Sequence, residues 1–316
     1  MPEPLLKVEN LTKYFKIPAG AVHAVDDVSF HIYKGETLGL VGESGCGKST
    51  TGRVLVSLIE ATGGRVTFDG RDILSLKKND LHEMRRHMQL IFQDPFSSLD
   101  PRKSIGSSIA KPLEIYRTGD RKEREKRVDE LMEQVELSPR LFNKYPHELD
   151  GGSRQRVGIA RALALSPKFI VCDEPVSALD VSIQAQIINL LQELQKMLGL
   201  TFLFVSHDLS VVKYISDDIA VMYLGKIVEI AKSDDIFASP SHPYTQALLN
   251  AVPIPELRSK TRKRVILTGG VPSPLNPPPG CRFHTRCPYK TDRCAAEEPM
   301  LTPIAPDHKV ACFGIK

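Results

Sequence analysis

The sequence predicts an α/β fold carrying a helical insertion and a cysteine-rich C-terminal extension, and three observations lead to it. Gly42 to Ser49 read Gly-Glu-Ser-Gly-Cys-Gly-Lys-Ser, a complete G-x-x-x-x-G-K-[ST] phosphate loop. A second apolar run, Phe169 to Cys172, ends in the carboxylates Asp173 and Glu174. Behind a run of prolines, Cys281, Cys287, Cys294 and Cys312 crowd into the tail.

The first part of the chain, Leu5 to Phe92, is a series of short β-rich segments separated by turn signals. Val66-Thr67-Phe68-Asp69-Gly70 predicts a hairpin, because Asp-Gly suits the tight turn between antiparallel strands. Thr37 to Val41 reads as a buried strand feeding the phosphate loop, and Ser49 to Ile59 as the helix whose N-terminus faces the anion. Within the loop, Gly42, Gly45 and Gly47 let the backbone curl so that successive N–H groups, including those of Glu43, Ser44 and Cys46, point at phosphate oxygens. Lys48 supplies charge to the β- and γ-phosphates, and the Ser49 hydroxyl, with Thr50 beside it, is placed for Mg²⁺ and the nucleotide. The four fixed positions coincide by chance on the order of once in a hundred chains of this length, so the loop alone predicts a bound nucleoside triphosphate.

From Pro95 to about Ser166 the pattern turns helical. Val128, Leu131, Met132 and Val135 form one apolar stripe within Arg121 to Leu137, an amphipathic helix. Strands then return at Phe169 to Cys172, Thr201 to Val205 and Ile219 to Tyr223, with a helix from Ile183 to Met197. After about Asp235 the composition shifts again. Pro272, Pro274, Pro277, Pro278 and Pro279 mark a boundary, since such a run cannot build a central strand. The expected domains are residues 1–235, with a helical part at about 95–166, and an extension over residues 236–316.

Each strand end offers a chemical group. Asp173 would hold the Mg²⁺ shell and Glu174 would polarise the attacking water. Gln93, after the strand Met88 to Phe92, can reach the metal and that water, while His207 can contact the γ-phosphate. Singly these are ordinary strand-end residues; in this order, with Ser177-Ala178-Leu179-Asp180 following Glu174, they form a hydrolytic set.

Composition limits the alternatives. The chain has 316 residues, 41% of them hydrophobic, enough for one large α/β domain and an appendage. Lys and Arg number 42 against 38 Asp and Glu, and a net charge of +4 makes no case for nucleic acid. The basic cluster Arg258, Lys260, Arg262, Lys263 and Arg264 reads most simply as a solvated linker, with contact to anionic lipid headgroups as the lesser alternative. No apolar run approaches the ~18 residues that cross a bilayer, so a soluble, cytosolic chain is expected.

At this point the chain resembles the ATP-binding subunits of ABC transporters over nearly its whole length. The resemblance implies the P-loop ABC ATPase core with its antiparallel β subdomain and helical subdomain. It matches Gly42 to Ser49 to the Walker A loop, Gln93 to the Q-loop, Asp173 to Walker B and Glu174 to the catalytic glutamate. Asp180 matches the D-loop and His207 the switch histidine. Phe15, with Tyr14 as second choice, matches the aromatic that stacks on adenine. The segments Gln93 to Pro101, Cys172 to Ser182, His242-Pro243-Tyr244-Thr245 and Gly280 to Pro288 are similar to the dipeptide/oligopeptide permease branch, and Asp100-Pro101-Arg102 to its DppF/OppF-like half. That branch implies a heterodimer with a second ATPase subunit on two transmembrane permease subunits, at the cytoplasmic face of the cell membrane. It implies import of peptides delivered by an extracytoplasmic binding protein. The rival expectation is an ABC-type ATPase acting on nucleic acid, with a zinc-binding tail.

The family signature Leu-Ser-Gly-Gly-Gln is here Leu149-Asp150-Gly151-Gly152-Ser153. In the family this motif completes the γ-phosphate site of the opposite subunit. A carboxylate has the wrong charge for that role: two unit negative charges ~4 Å apart repel by about 4 kcal/mol at an effective dielectric near 20. Asp150 is also an excellent helix N-cap, able to occupy the N–H groups that the phosphate needs.

The tail cysteines lack the close pairs of structural zinc sites. Four thiolates suit an iron–sulfur cluster equally well, and the tail resembles permease subunits in which such cysteines hold a 4Fe-4S cluster. Zn²⁺, with His284 or His308 as a further ligand, is the alternative.

Overall fold

A computed structural model describes residues 3–251 and 269–314; the basic cluster at 258–264 lies outside the described residues. In chain order the elements are β1 (Leu6–Ile17), β2 (Gly20–Ile32), β3 (Thr37–Val41), α1 (Lys48–Leu55), β4 (Gly63–Phe68), β5 (Arg71–Asp72), α2 (Lys78–Arg85), β6 (Met88–Ile91), α3 (Pro95–Ser98), α4 (Ile105–Ile115), α5 (Arg121–Gln134) and α6 (Gly151–Leu163). They continue as β7 (Phe169–Asp173), α7 (Val181–Leu198), β8 (Thr201–Ser206), α8 (Leu209–Ile215), β9 (Asp218–Tyr223), β10 (Lys226–Lys232), α9 (Ser233–Ala238), α10 (Pro243–Ala251), α11 (Asp292–Ala296), β11 (Thr302–Ala305) and β12 (His308–Val310). Two compact units emerge, and the chain passes between them more than once.

The first unit gathers residues 1–32, 37–74 and 206–316. Its antiparallel sheet runs β2-β1-β4-β5. The hairpin from β4 to β5 turns at Asp69 and Gly70 with φ of 49° and 77°, the left-handed pair that an Asp-Gly turn accommodates. In the same unit β3 pairs in parallel with β9, β9 antiparallel with β10, and β10 antiparallel with β12, which carries β11. Every residue of β3 is buried, which accounts for its unbroken apolar sequence. The extension after residue 235 is therefore not a detached appendage: β12 lies along β10, with Glu229 opposite Val310.

The second unit holds residues 33–36 and 75–205. Its strands β6, β7 and β8 are parallel, Ile91 opposite Cys172 and Cys172 opposite Phe204. Helix α5 presents buried Val128, Leu131 and Met132, and Asp120 and Glu123 close a reciprocal capping box at its start. Helices α4, α5 and α6 pack on one another, so the segment read as a helical insertion is built as helices.

The element boundaries need correction in places. The helix after the phosphate loop stops at Leu55 rather than Ile59, because Ser57 takes a left-handed conformation at φ 56°. The amphipathic helix stops at Gln134, short of Leu137, where Glu136 is left-handed at φ 55°. The strand before Gln93 ends at Ile91, while β7 and β8 each run one residue further than the apolar pattern.

Candidate functional site

In the first unit, β3 delivers the chain into a loop that only glycine can form at its two ends. Gly42 has φ 155° and Gly47 φ 109°. A Cβ on Gly42 would stand 2.1 Å from the Met222 carbonyl oxygen, and one on Gly47 2.0 Å from that of Ala24. Helix α1 begins at Lys48 with Gly47 as its N-cap, no capping side chain and no acid in its first turn. Its N-terminal dipole therefore faces the loop without a competing carboxylate of its own. Lys48 is buried and curls back, Nζ donating to the carbonyl oxygens of Gly42 at 2.7 Å and Glu43 at 3.0 Å. Cys46 is buried beneath the loop, and burial pushes its thiol pKa up, keeping it a neutral spacer.

Around the loop, Phe15 is exposed with Lys13 Nζ 4.9 Å from its ring centroid. Tyr14, the second choice, is committed elsewhere: its hydroxyl donates to Asp26 Oδ1 at 2.7 Å. Burial and that bond raise its pKa to about 12. Between the two, Phe15 has the face a base can stack on. His207 lies exposed at the end of β8, in a turn fixed by Asp208 N donating to Ser206 Oγ at 3.0 Å and by Asp208 capping α8 through Ser210 N.

In the second unit, buried β7 carries Asp173 at its end, 1% exposed. The next residue, Glu174, is left-handed at φ 46°, an uncommon conformation for a glutamate, held by Glu174 N donating to Val205 O at 3.0 Å. The twist brings its carboxylate to Gln93, whose Nε2 donates to Glu174 Oε2 at 2.9 Å. The loop beyond is tied down by Gln184, which donates to the carbonyls of Val176 at 3.0 Å and Leu179 at 2.9 Å, and it ends at Asp180, N-cap residue of α7.

The altered signature motif opens α6. Asp150 is the N-cap: Oδ1 accepts from Ser153 N at 2.7 Å and Oδ2 from Ser153 Oγ at 2.8 Å. The bond from the Ser153 N–H, ahead of the cost of burial, holds the Asp150 carboxyl below its usual range. Gly151 and Gly152 form the first turn, Gly152 buried with Ile183 where its Cβ would be.

The four tail cysteines line one cavity of about 290 Å³ together with Phe283 and His284. None of the six cysteines is in a disulfide. Burial, and then the charge of the neighbouring thiols, raises the Cys281 pKa to about 11, and burial also lifts Cys287 and Cys312. No three His, Cys, Asp or Glu side chains among the described residues converge as a single metal ion requires. His308, a candidate zinc ligand, is engaged otherwise: its Nε2 donates to the fully buried Glu229 Oε1 at 2.8 Å.

Two residues of segments that the sequence marks without a role, Tyr244 and Arg286, are brought to the phosphate loop by the fold. Arg286 donates to Glu43 Oε2 at 2.7 Å and Oε1 at 3.1 Å, and Tyr244 accepts at its hydroxyl from Glu43 N at 2.8 Å. The bond to Glu43 raises the Arg286 pKa, so its charge is permanent. Tyr244 sits in an aromatic cluster with Tyr223 and Phe283, ring centroids 4.7 to 5.4 Å apart. Their segments stand out in the sequence, but Tyr244 and Arg286 lie 201 and 243 positions from Glu43, so the pairing itself does not.

Comparison with known proteins agrees with this picture. Residues 25–177 match the family described as ABC transporter, and residues 228–294 the oligopeptide/dipeptide transporter C-terminal region. The chain is 54% identical to a putative peptide import ATP-binding protein of Brucella ovis, over 98% of both chains. It is 51% identical to the oligopeptide transport ATP-binding protein AppF of Bacillus subtilis, over 98% of this chain and 97% of that one. Among solved structures, the ATP-binding cassette MJ0796, in a dimeric post-hydrolysis state bound to ADP and Pi, is 32% identical with a TM-score of 0.67, covering 72% of this chain and 98% of that one. CbiO1 of Clostridium perfringens, part of the transporter complex cbiONQ, is 29% identical with a TM-score of 0.67, over 75% of this chain and 92% of its own. The relatives' names turn on peptide import, and the nucleic-acid reading gains no support from them.

Proposed function

The chain belongs to the ABC transporter family as a peptide-importer ATP-binding subunit that hydrolyses ATP, and on that premise we propose that it drives uptake of di- and oligopeptides as one half of an ATPase heterodimer on two transmembrane subunits. The complex sits at the cytoplasmic face of the cell membrane and receives peptide from an extracytoplasmic binding protein. The match of residues 228–294 to the oligopeptide/dipeptide C-terminal region carries the peptide reading. Among the described residues no helix is long and apolar enough to cross a membrane, consistent with a chain that works on membrane partners.

Lys48 and the N–H groups of Gly42 to Ser49 bind the phosphates, and Phe15 stacks on the base. The hard oxygens of Ser49, Asp173 and Gln93 suit Mg²⁺, which supplies charge neutralisation at the γ-phosphate when bound. Glu174 takes the proton of the attacking water, Gln93 orients its carboxylate, and His207 contacts the γ-phosphate. Asp180 and the Asp150-Gly151-Gly152 turn belong to the subunit interface.

In the tail, four thiols around one cavity fit a 4Fe-4S cluster better than one zinc ion. Zn–S bonds of about 2.3 Å would require the sulfurs to converge on one point, whereas a cluster spreads its thiolate ligands around its own volume. Cys281, Cys287, Cys294 and Cys312 would hold it, and it would cross-link a small, proline-rich segment.

Affinity isolation from detergent-solubilised membranes tests the assignment. A second ATPase chain and two polytopic chains should co-purify, with ATPase activity that rises when a peptide-loaded binding protein is added. Recovery of the chain solely with soluble proteins would reject it. Anaerobic preparation should yield iron and sulfide in equal amounts; stoichiometric zinc without iron would overturn the cluster.

A further inference from the structure

The cysteine segment carries two buried arginines, each next to a cysteine that lines the cavity, and both reach the nucleotide end of the first unit. Arg282 follows Cys281 and donates to the Leu224 carbonyl and to Asp26 Oδ2. Asp26 in turn accepts the Tyr14 hydroxyl at 2.7 Å, one residue from Phe15, and its N–H donates to Gly225 O at 2.8 Å. Gly225 N closes the circuit by donating to Cys46 O, inside the phosphate loop, at 2.8 Å. Arg286 precedes Cys287 and grips Glu43, the second residue of that loop, with both arms of its guanidinium.

Glu43 is thereby held at three points: its N–H by Tyr244, its carboxylate by Arg286 and its carbonyl by Lys48. A buried ion pair is a poor source of net stability, because desolvation offsets most of the attraction. What it does well is fix one geometry. A phosphate loop binds through N–H groups whose directions must be set before the anion arrives, and ordering them in advance removes an entropic cost from binding.

We propose that Arg282 and Arg286 are positioning residues for the nucleotide site, through which the cysteine segment presets the phosphate loop at Glu43 and, by way of Asp26 on β2 and its bond to Tyr14, the strand β1 that carries Phe15. This rests on the nucleotide-binding reading above.

Titration of the full-length chain with a fluorescent ATP analogue and Mg²⁺ tests it. Wild type must bind; if it does not, the nucleotide reading falls and the proposal with it. With wild type binding, Arg286→Met and Glu43→Ala should each weaken affinity about tenfold, and the double variant no further, because both remove one interaction. Arg286→Lys should recover part of the loss. Glu43→Ala breaks the bond from the loop side, so the result survives if Arg286→Met fails to fold. Unchanged affinity in Glu43→Ala, or losses that multiply in the double variant, would overturn the proposal. A lowered melting temperature at wild-type affinity would assign Arg286 to folding alone and overturn it equally.

Discussion

Gln93 Nε2 donates to Glu174 Oε2 at 2.9 Å, joining the end of one parallel strand to the end of its neighbour.

Glu174→Gln should keep this geometry, since an amide oxygen still accepts from Gln93. It removes the proposed general base, and turnover in the assembled complex should fall ~10² to 10⁴-fold while ATP binding persists. Single-turnover hydrolysis beside nucleotide retention measures both. Hydrolysis at the wild-type rate would show that the carboxylate has no chemical role.

Asp150 turns its charge onto the start of its own helix, so in the proposed heterodimer the ATP facing it should turn over slowly while the ATP on this chain's Lys48 is hydrolysed. Asp150→Ser with Ser153→Gln should raise ATP turned over per complex; no change would clear Asp150 of obstruction. Asp150→Ala should cost about 1 kcal/mol of stability at neutral pH, the usual worth of an N-cap. Its folded pKa is lowered, so this contribution is complete above the unfolded value of 3.8 and fades as pH falls through the folded one. Melting curves of the two proteins should converge in acid.

Glu229 is fully buried and accepts from Ser241 N at 2.8 Å, His242 N at 2.9 Å and His308 Nε2 at 2.8 Å. Glu229→Ala leaves two buried donors and one half-buried donor without an acceptor and should destabilise the first unit by about 3 kcal/mol or more. Limited proteolysis should then cut the tail ahead of the rest. A melting temperature within 1 °C or so of wild type would mean that water replaces the carboxylate without loss.

The strands β3, β7, β8 and β9 were legible because each is a short apolar run, and the phosphate loop because its chemistry is local. Asp150 as an N-cap was legible for the same reason: a carboxylate before two glycines has N–H groups to satisfy. Helix ends were less so. Ser57 and Glu136 stop their helices by taking left-handed conformations, which neither residue type advertises. Arg286, Tyr244 and Glu229 were illegible, because an ion pair or a buried acceptor depends on a partner that only the fold supplies. The four cysteines were recognised as a group, but the partners of the two arginines between the first pair were not.

Glu43 and Arg286 stand 243 positions apart. At ribosomal rates of about 5–20 residues per second, the loop exists for roughly 12–50 s before the residue that braces it has been made. Strand β3 waits almost as long for β9, with Thr37 and Asp217 separated by 180 positions. A nascent chain therefore carries every phosphate-binding residue long before it carries the finished cradle. The brace at Glu43 is complete only once the cysteine segment has been synthesised and folded back onto the loop.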